Sequence, residues 1–111
     1  MIETALGTSI AFTAPHRLAT KAGYDILEAG GTAVEAMVAA AAQIAVVYPH
    51  MNSIGGDGFW LIKKMGQKPV AISACGPAAK QATPEWYEKK GYKGFLPTRG
   101  PLAALTVPGT I

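Results

Sequence analysis

Between Gly30 and Trp60 the chain reads Gly-Gly-Thr-Ala-Val-Glu-Ala-Met-Val-Ala-Ala-Ala-Ala-Gln-Ile-Ala-Val-Val-Tyr-Pro-His-Met-Asn-Ser-Ile-Gly-Gly-Asp-Gly-Phe-Trp. This is a helix stop, a capped apolar helix, a glycine-rich turn and the start of a strand. Thr32 and Glu35 fit the T-x-x-E capping box, in which each side chain satisfies a backbone N–H left unpaired at a helix start. From Ala33 to Val47 only Glu35 and Gln43 are polar. A helix apolar all round is expected to be buried on several sides, so a domain must be built around it. Tyr48-Pro49 ends it, because the residue before proline is pushed out of the helical region.

Working outward, Ala5 to Thr13 suits a short buried strand carrying Ile10, Ala11 and Phe12, and Pro15 suits the first position of a helix. From His16 to Ala29, Leu18, Ala22 and Ile26 recur at i+4 with Leu27 beside them, opposite Arg17, Lys21, Asp25 and Glu28. That amphipathic helix stops at Gly30-Gly31, giving an αα-hairpin with a very short connection. The four alanines Ala39 to Ala42 would allow close approach by a sheet or another helix. Downstream, Phe59 to Lys63 and Pro69 to Ala74 read as a hairpin around Lys64–Lys68. Thr83-Pro84-Glu85 starts a short helix that dies at Gly91, and Leu102 to Val107 is expected as a last strand before Pro108-Gly109. The order β-α-α-β-β-α-β predicts an α+β fold with helices packed on a sheet. It does not make a complete fold.

The 111 residues allow one domain at most, and 50% hydrophobic with 15% charged residues is rich for that size. Some apolar surface should therefore face something outside this stretch. The net charge of +3 is mild, and neither Lys63, Lys64 and Lys68 nor Lys89, Lys90 and Lys93 forms a stripe with interleaved aromatics. Nucleic-acid binding is not expected. The single cysteine, Cys75, excludes an intrachain disulfide and a C-x-x-C zinc site. No basic region precedes an apolar core at the N-terminus, and the longest apolar run falls short of the ~20 residues that span a bilayer. A soluble, cytoplasmic protein without cofactor or metal is expected.

Little catalytic apparatus is visible. His16 and His50 could form a metal pair, but hydrogen-bonded side chains at element ends are the favoured reading. Gly55, Gly56, Asp57 and Gly58 place three glycines in four positions, which demands positive φ or close backbone approach. Such a turn could cradle an anion with backbone N–H groups. The favoured reading is a tight turn in a packed core, since no phosphate-loop pattern accompanies it. Cys75 follows a strand end, where it could act as a nucleophile only beside a base. None is evident, and a small buried or pocket-lining residue is preferred. Trp86, Tyr87 and Tyr92 read as anchors of the short helix rather than as an aromatic binding face.

Three stretches carry a family resemblance: Ala14-Pro15-His16-Arg17-Leu18-Ala19-Thr20, then Ile26 through Ala36, then Pro49-His50 through Gly55-Gly56-Asp57-Gly58-Phe59. With the closing Pro101-Leu102-Ala103-Ala104-Leu105-Thr106-Val107-Pro108-Gly109-Thr110, the chain resembles the N-terminal region of the gamma-glutamyltranspeptidase family from about Thr8 to Ile111. That implies a partial αββα sandwich of the N-terminal-nucleophile hydrolase type and a self-cleaving precursor. It also implies a threonine nucleophile at the start of the small subunit, acting on a small-molecule amide. That threonine would lie downstream, and Thr110 in the Val-Pro-Gly-Thr stretch is not it. No catalytic residue is expected within these 111 residues, which alone should be inactive. The implied partners are the rest of the large subunit and the small subunit; the isolated segment should self-associate.

One departure bears on substrate. The resemblance implies an arginine after the hairpin that holds the substrate α-carboxylate through a bidentate contact. An ungapped comparison puts Cys75 at its place, and a shift of two residues puts Pro77 there; neither can bind a carboxylate that way. Cys75 and Pro77 are thus candidate substrate-binding positions. Glutamyl specificity is in question, and Val46 through Trp60 is similar to oxamate-hydrolysing members.

Overall fold

Two consecutive helices occupy the first of two units into which the chain divides, Met1–Ser53 and Ile54–Ile111. The computed structural model describes residues 6–103 and 106–109. Helix α1 is Arg17–Glu28, and its N-cap is His16, whose Nδ1 accepts the Leu18 N–H at 3.2 Å. Pro15 therefore precedes the cap instead of occupying the first helical position, because the imidazole caps one residue later. The Thr20 hydroxyl accepts the Ala14 N–H at 3.1 Å and ties the entering chain to the first turn.

The helix stops as the sequence predicts. Gly30 takes φ 86°, the Gly31 N–H donates to the Ile26 carbonyl at 2.8 Å, and the Gly30 N–H donates to the Leu27 carbonyl at 3.0 Å. These are the paired bonds of a Schellman motif, which uses carbonyls that the helix end leaves free.

Helix α2, Ala33–Val47, starts at once with its capping box formed in both directions. The Glu35 carboxylate accepts the Thr32 N–H at 2.7 Å, and the Thr32 hydroxyl accepts the Glu35 N–H at 3.2 Å. The backbone N–H of Thr32, then its hydroxyl, hold the Glu35 carboxyl below the usual range. On α1, Asp25 accepts from Lys21 Nζ at 2.6 Å and raises the lysine's pKa. Exposed i,i+4 pairs of this kind add little stability.

The helices pack on each other, and their buried positions are small: Ala19 and Gly23 on α1, Ala36 and Ala40 on α2. Small side chains at i and i+4 keep one face of each helix low enough for close approach. The expected burial of α2 on several sides is not met among the described residues. Val38 is 54% and Val46 75% exposed, and within this unit α1 packs along one stripe of α2.

In the second unit, strand β1 (Gly58–Ile62) pairs antiparallel with β2 (Val70–Ala74), with Trp60 opposite Ile72 and Gly58 opposite Ala74. Side chains alternate between faces, so Trp60 and Ile62 are half-buried while Phe59 and Leu61 are each 78% exposed. The loop is closed by the Gln67 N–H on the Lys64 carbonyl at 3.1 Å, and Lys63 Nζ donates to the Gln67 carbonyl.

Helix α3, Pro84–Lys89, has Thr83 as N-cap and proline in its first turn. The Glu85 backbone N–H, then the Thr83 hydroxyl, hold the Glu85 carboxyl below its usual range. Tyr87 is buried, and its hydroxyl donates to the Leu102 carbonyl at 3.0 Å. Its ring meets Trp86 edge-on at 5.0 Å and Tyr92 at 6.5 Å, the anchoring role read from the sequence.

Two predicted strands are not strands where the structure describes them. Residues 6–13 carry no strand pairing, and Phe12 instead lays its ring against Gly23 of α1. A strand exists through a partner, and hydrophobic content alone does not supply one. Ala5 lies outside the described residues. At the other end, Pro101–Ala103 forms a 3-10 turn and Thr106 makes an isolated antiparallel bridge with Ala78. Ala104 and Leu105 lie outside the described residues. The fold class is α+β, with two helices in the first unit and a two-stranded antiparallel sheet in the second.

Candidate functional site

The pairing of Gly58 with Ala74 decides the site. Because the first residue of β1 stands opposite the last residue of β2, the glycine turn entering β1 and the segment leaving β2 emerge at the same end of the hairpin. Gly55, Gly56 and Asp57 are thereby brought to the same end as Cys75, Gly76 and Pro77, which lie about twenty residues later in sequence.

A third segment crosses them. Ala78 bridges Thr106, and the Val107 N–H donates to the Pro77 carbonyl at 3.0 Å. The Gly109 N–H then donates to the Gly56 carbonyl at 3.0 Å. Pro108 lies against Gly55, where an added Cβ would meet its ring carbons at 3.2 and 3.3 Å. The Thr106 hydroxyl reaches Asp57 Oδ1 at a long 3.5 Å.

Glycine is required for this crossing. A Cβ on Gly76 would fall on the Val107 carbonyl group, and one on Gly109 would lie 2.5 Å from the Gly76 nitrogen and 2.8 Å from the Ala74 oxygen. Neither separation is available to a real carbon. Gly56, at φ 111°, lets the turn present its carbonyl to Gly109.

Cys75, Pro77 and Asp57 are exposed at this junction. Neither Cys75 nor Pro77 offers a cationic fork for a carboxylate. What the junction can do is hold the exit from β2 in a fixed path, tied by backbone bonds to the 106–107 segment, which is itself tied through Gly109 to the glycine turn.

The sequence reads Thr106 and Val107 as strand and Pro108-Gly109 as its stop, and does not place them at this junction; the available signal is Gly76-Pro77 and Pro108-Gly109, two glycine–proline pairs that lie side by side. His16 and His50 both lie by Tyr48, with ring centroids at 6.5 and 4.2 Å, and His16 is already occupied as a cap. Among the described residues no three His, Cys, Asp or Glu side chains are grouped to hold a metal. A separate open pocket of about 440 Å³ lies beside α3, lined by Tyr87, Glu88, Tyr92 and Phe95 among others. Among the described residues, no helix is long and apolar enough to cross a membrane.

The gamma-glutamyltranspeptidase family profile matches residues 19–111. The chain is 57% identical over 98 residues to the oxamate amidohydrolase proenzyme of Klebsiella pneumoniae, covering 88% of this chain and 18% of that protein. It is 43% identical over 112 residues to the glutathione hydrolase-like YwrD proenzyme of Bacillus subtilis, covering 100% of this chain and 21% of that protein. Among solved structures, the gamma-glutamyltranspeptidase of Helicobacter pylori superposes with a TM-score of 0.74 at 32% identity, over 98% of this chain and 31% of that one. This chain therefore spans about a fifth of the length of the two proenzymes. Matching in sequence along nearly all its length and in backbone path, the chain belongs to the gamma-glutamyltranspeptidase family.

Proposed function

We propose that these residues are the N-terminal segment, within a single larger αββα sandwich domain, of a self-processing amidase. Its nucleophile is a threonine downstream of this segment, freed by cleavage of the precursor. The threonine hydroxyl attacks the substrate amide carbonyl while its own amine takes the proton. The tetrahedral intermediate collapses with loss of the amine, and water or an acceptor amine releases the acyl group. The partners of this segment are the remainder of the large subunit and the small subunit. Without them, the 111 residues have no hydrolytic activity.

The substrate is a small amide whose acyl group lacks the glutamyl α-amino-acid end, and oxamate is the leading candidate. The observation that carries this reading is the 57% identity to an oxamate amidohydrolase proenzyme. It is supported by Cys75 and Pro77 at the two places where an arginine would hold a glutamyl carboxylate. The 43% identity to a glutathione hydrolase-like proenzyme favours glutathione as the second reading. Full-length protein, confirmed by mass spectrometry to have cleaved itself, should hydrolyse oxamate and leave glutathione almost untouched. Rapid glutathione turnover without oxamate hydrolysis would reverse the two. A full-length protein that never cleaves itself would instead mark a non-catalytic relative acting as a binding module.

A further inference from the structure

We propose that Gly76 is a positioning residue for substrate binding: lacking a side chain, it lets the 106–109 segment lock the Cys75–Pro77 exit of β2 in one path. This rests on the reading above that Cys75 and Pro77 line the acyl-group subsite. The crossing has no spare room, since a Cβ at 76 would overlap the Val107 carbonyl group. It is also held from both flanks. The Val107 N–H bonds Pro77, one residue after Gly76, and the Gly109 N–H bonds Gly56 in the turn that feeds the neighbouring strand.

The backbone carrying Cys75 and Pro77 is therefore fixed by residues that are not in the subsite themselves. A side chain at position 76 must displace the 106–109 segment or the β2 exit, because backbone atoms on both sides cannot swing away as a side chain can. Cys75 and Pro77 would move with it. Binding should suffer more than chemistry, since the nucleophile lies on another part of the protein.

The test uses the full-length, self-cleaved enzyme with Gly76→Ala, and with Pro108→Ala as a milder variant that removes the ring carbon Cγ beside Gly55 and frees the backbone of the crossing segment while keeping its Cβ. Amide hydrogen exchange is followed at Val107 and Gly109, and kinetics are measured on oxamate and on glutathione. For Gly76→Ala we expect faster exchange at both amides and a KM raised ~10-fold on the accepted substrate, with kcat within ~2-fold. Pro108→Ala should move both readouts the same way by less.

Unchanged exchange in both variants overturns the inference, as does faster exchange with unaltered KM. If Gly76→Ala fails to accumulate as folded enzyme, Pro108→Ala decides by the same criteria. Failure of the functional reading is visible separately, as a wild-type enzyme that turns over neither amide. The role in substrate binding falls with that reading, whereas the locked path of the β2 exit is still decided by the exchange at Val107 and Gly109.

Discussion

Replacing Gly23 with alanine sets two effects of opposite sign against each other. In a helix interior alanine is favoured over glycine by ~1 kcal/mol, so the exchange would ordinarily strengthen α1. Gly23 is buried, however, and an added Cβ would lie 2.6 Å from Cε2 of Phe12 and closer still to two other atoms of that ring. The ring must swing away or the entering chain must shift, and overpacking of this kind costs ~1–3 kcal/mol. Gly23→Ala is therefore expected to destabilise the region around α1 by about 1 kcal/mol net, from these two magnitudes.

The decisive measurement is a double-mutant cycle with Phe12→Ala. With the ring gone the clash is gone, and Gly23→Ala should then stabilise α1 by ~1 kcal/mol, a coupling of ~2 kcal/mol. Opening free energies from native-state hydrogen exchange of the α1 amides in the full-length protein supply the numbers. A Gly23→Ala variant that protects α1 in the presence of Phe12, or an effect of the same sign in both backgrounds, would refute the reasoning.

Three further outcomes are expected. The lowered Glu35 pKa makes the capping box favour the ionised carboxylate, so its contribution is fully present above the unfolded value near 4.5 and disappears as pH falls through the folded value; a carboxyl titration by NMR with a midpoint at or above the unfolded value would contradict this. Tyr87→Phe removes the bond to the Leu102 carbonyl, and a loss of ~1 kcal/mol is expected in the opening free energy of α3, against none if that bond is idle. The isolated 111-residue chain leaves Val46, Phe59 and Leu61 at least 75% exposed, so sedimentation should show concentration-dependent self-association. A sharp monomer boundary at all concentrations would count against it.

Much of the local structure was legible because its causes are local. Thr32 and Glu35 lie within one helical turn, Gly30 and Gly31 close the preceding helix with bonds to residues 26 and 27, and Thr83-Pro84 caps α3. The hairpin was placed to within a residue at each end, since alternation and turn residues act over short range. The two terminal strands expected from the sequence are not formed among the described residues, for the opposite reason. Their apolar residues were visible, but strand formation depends on a partner, and Phe12 found a helix while Thr106 found a single bridge.

The same division runs through the candidate site. From the sequence alone came the glycine turn Gly55–Gly58, the exit residues Cys75 and Pro77, and the family resemblance, each a property of neighbouring residues or of ordered motifs. That these meet at one end of a hairpin, with Val107 and Gly109 laid across them, is a tertiary fact. It follows from a register that pairs Gly58 with Ala74, 16 residues on, and from bonds that join residues 30 and 53 apart. No local rule carries information over that distance: a glycine can be seen to permit a close approach, but only the fold says which backbone comes to occupy the space.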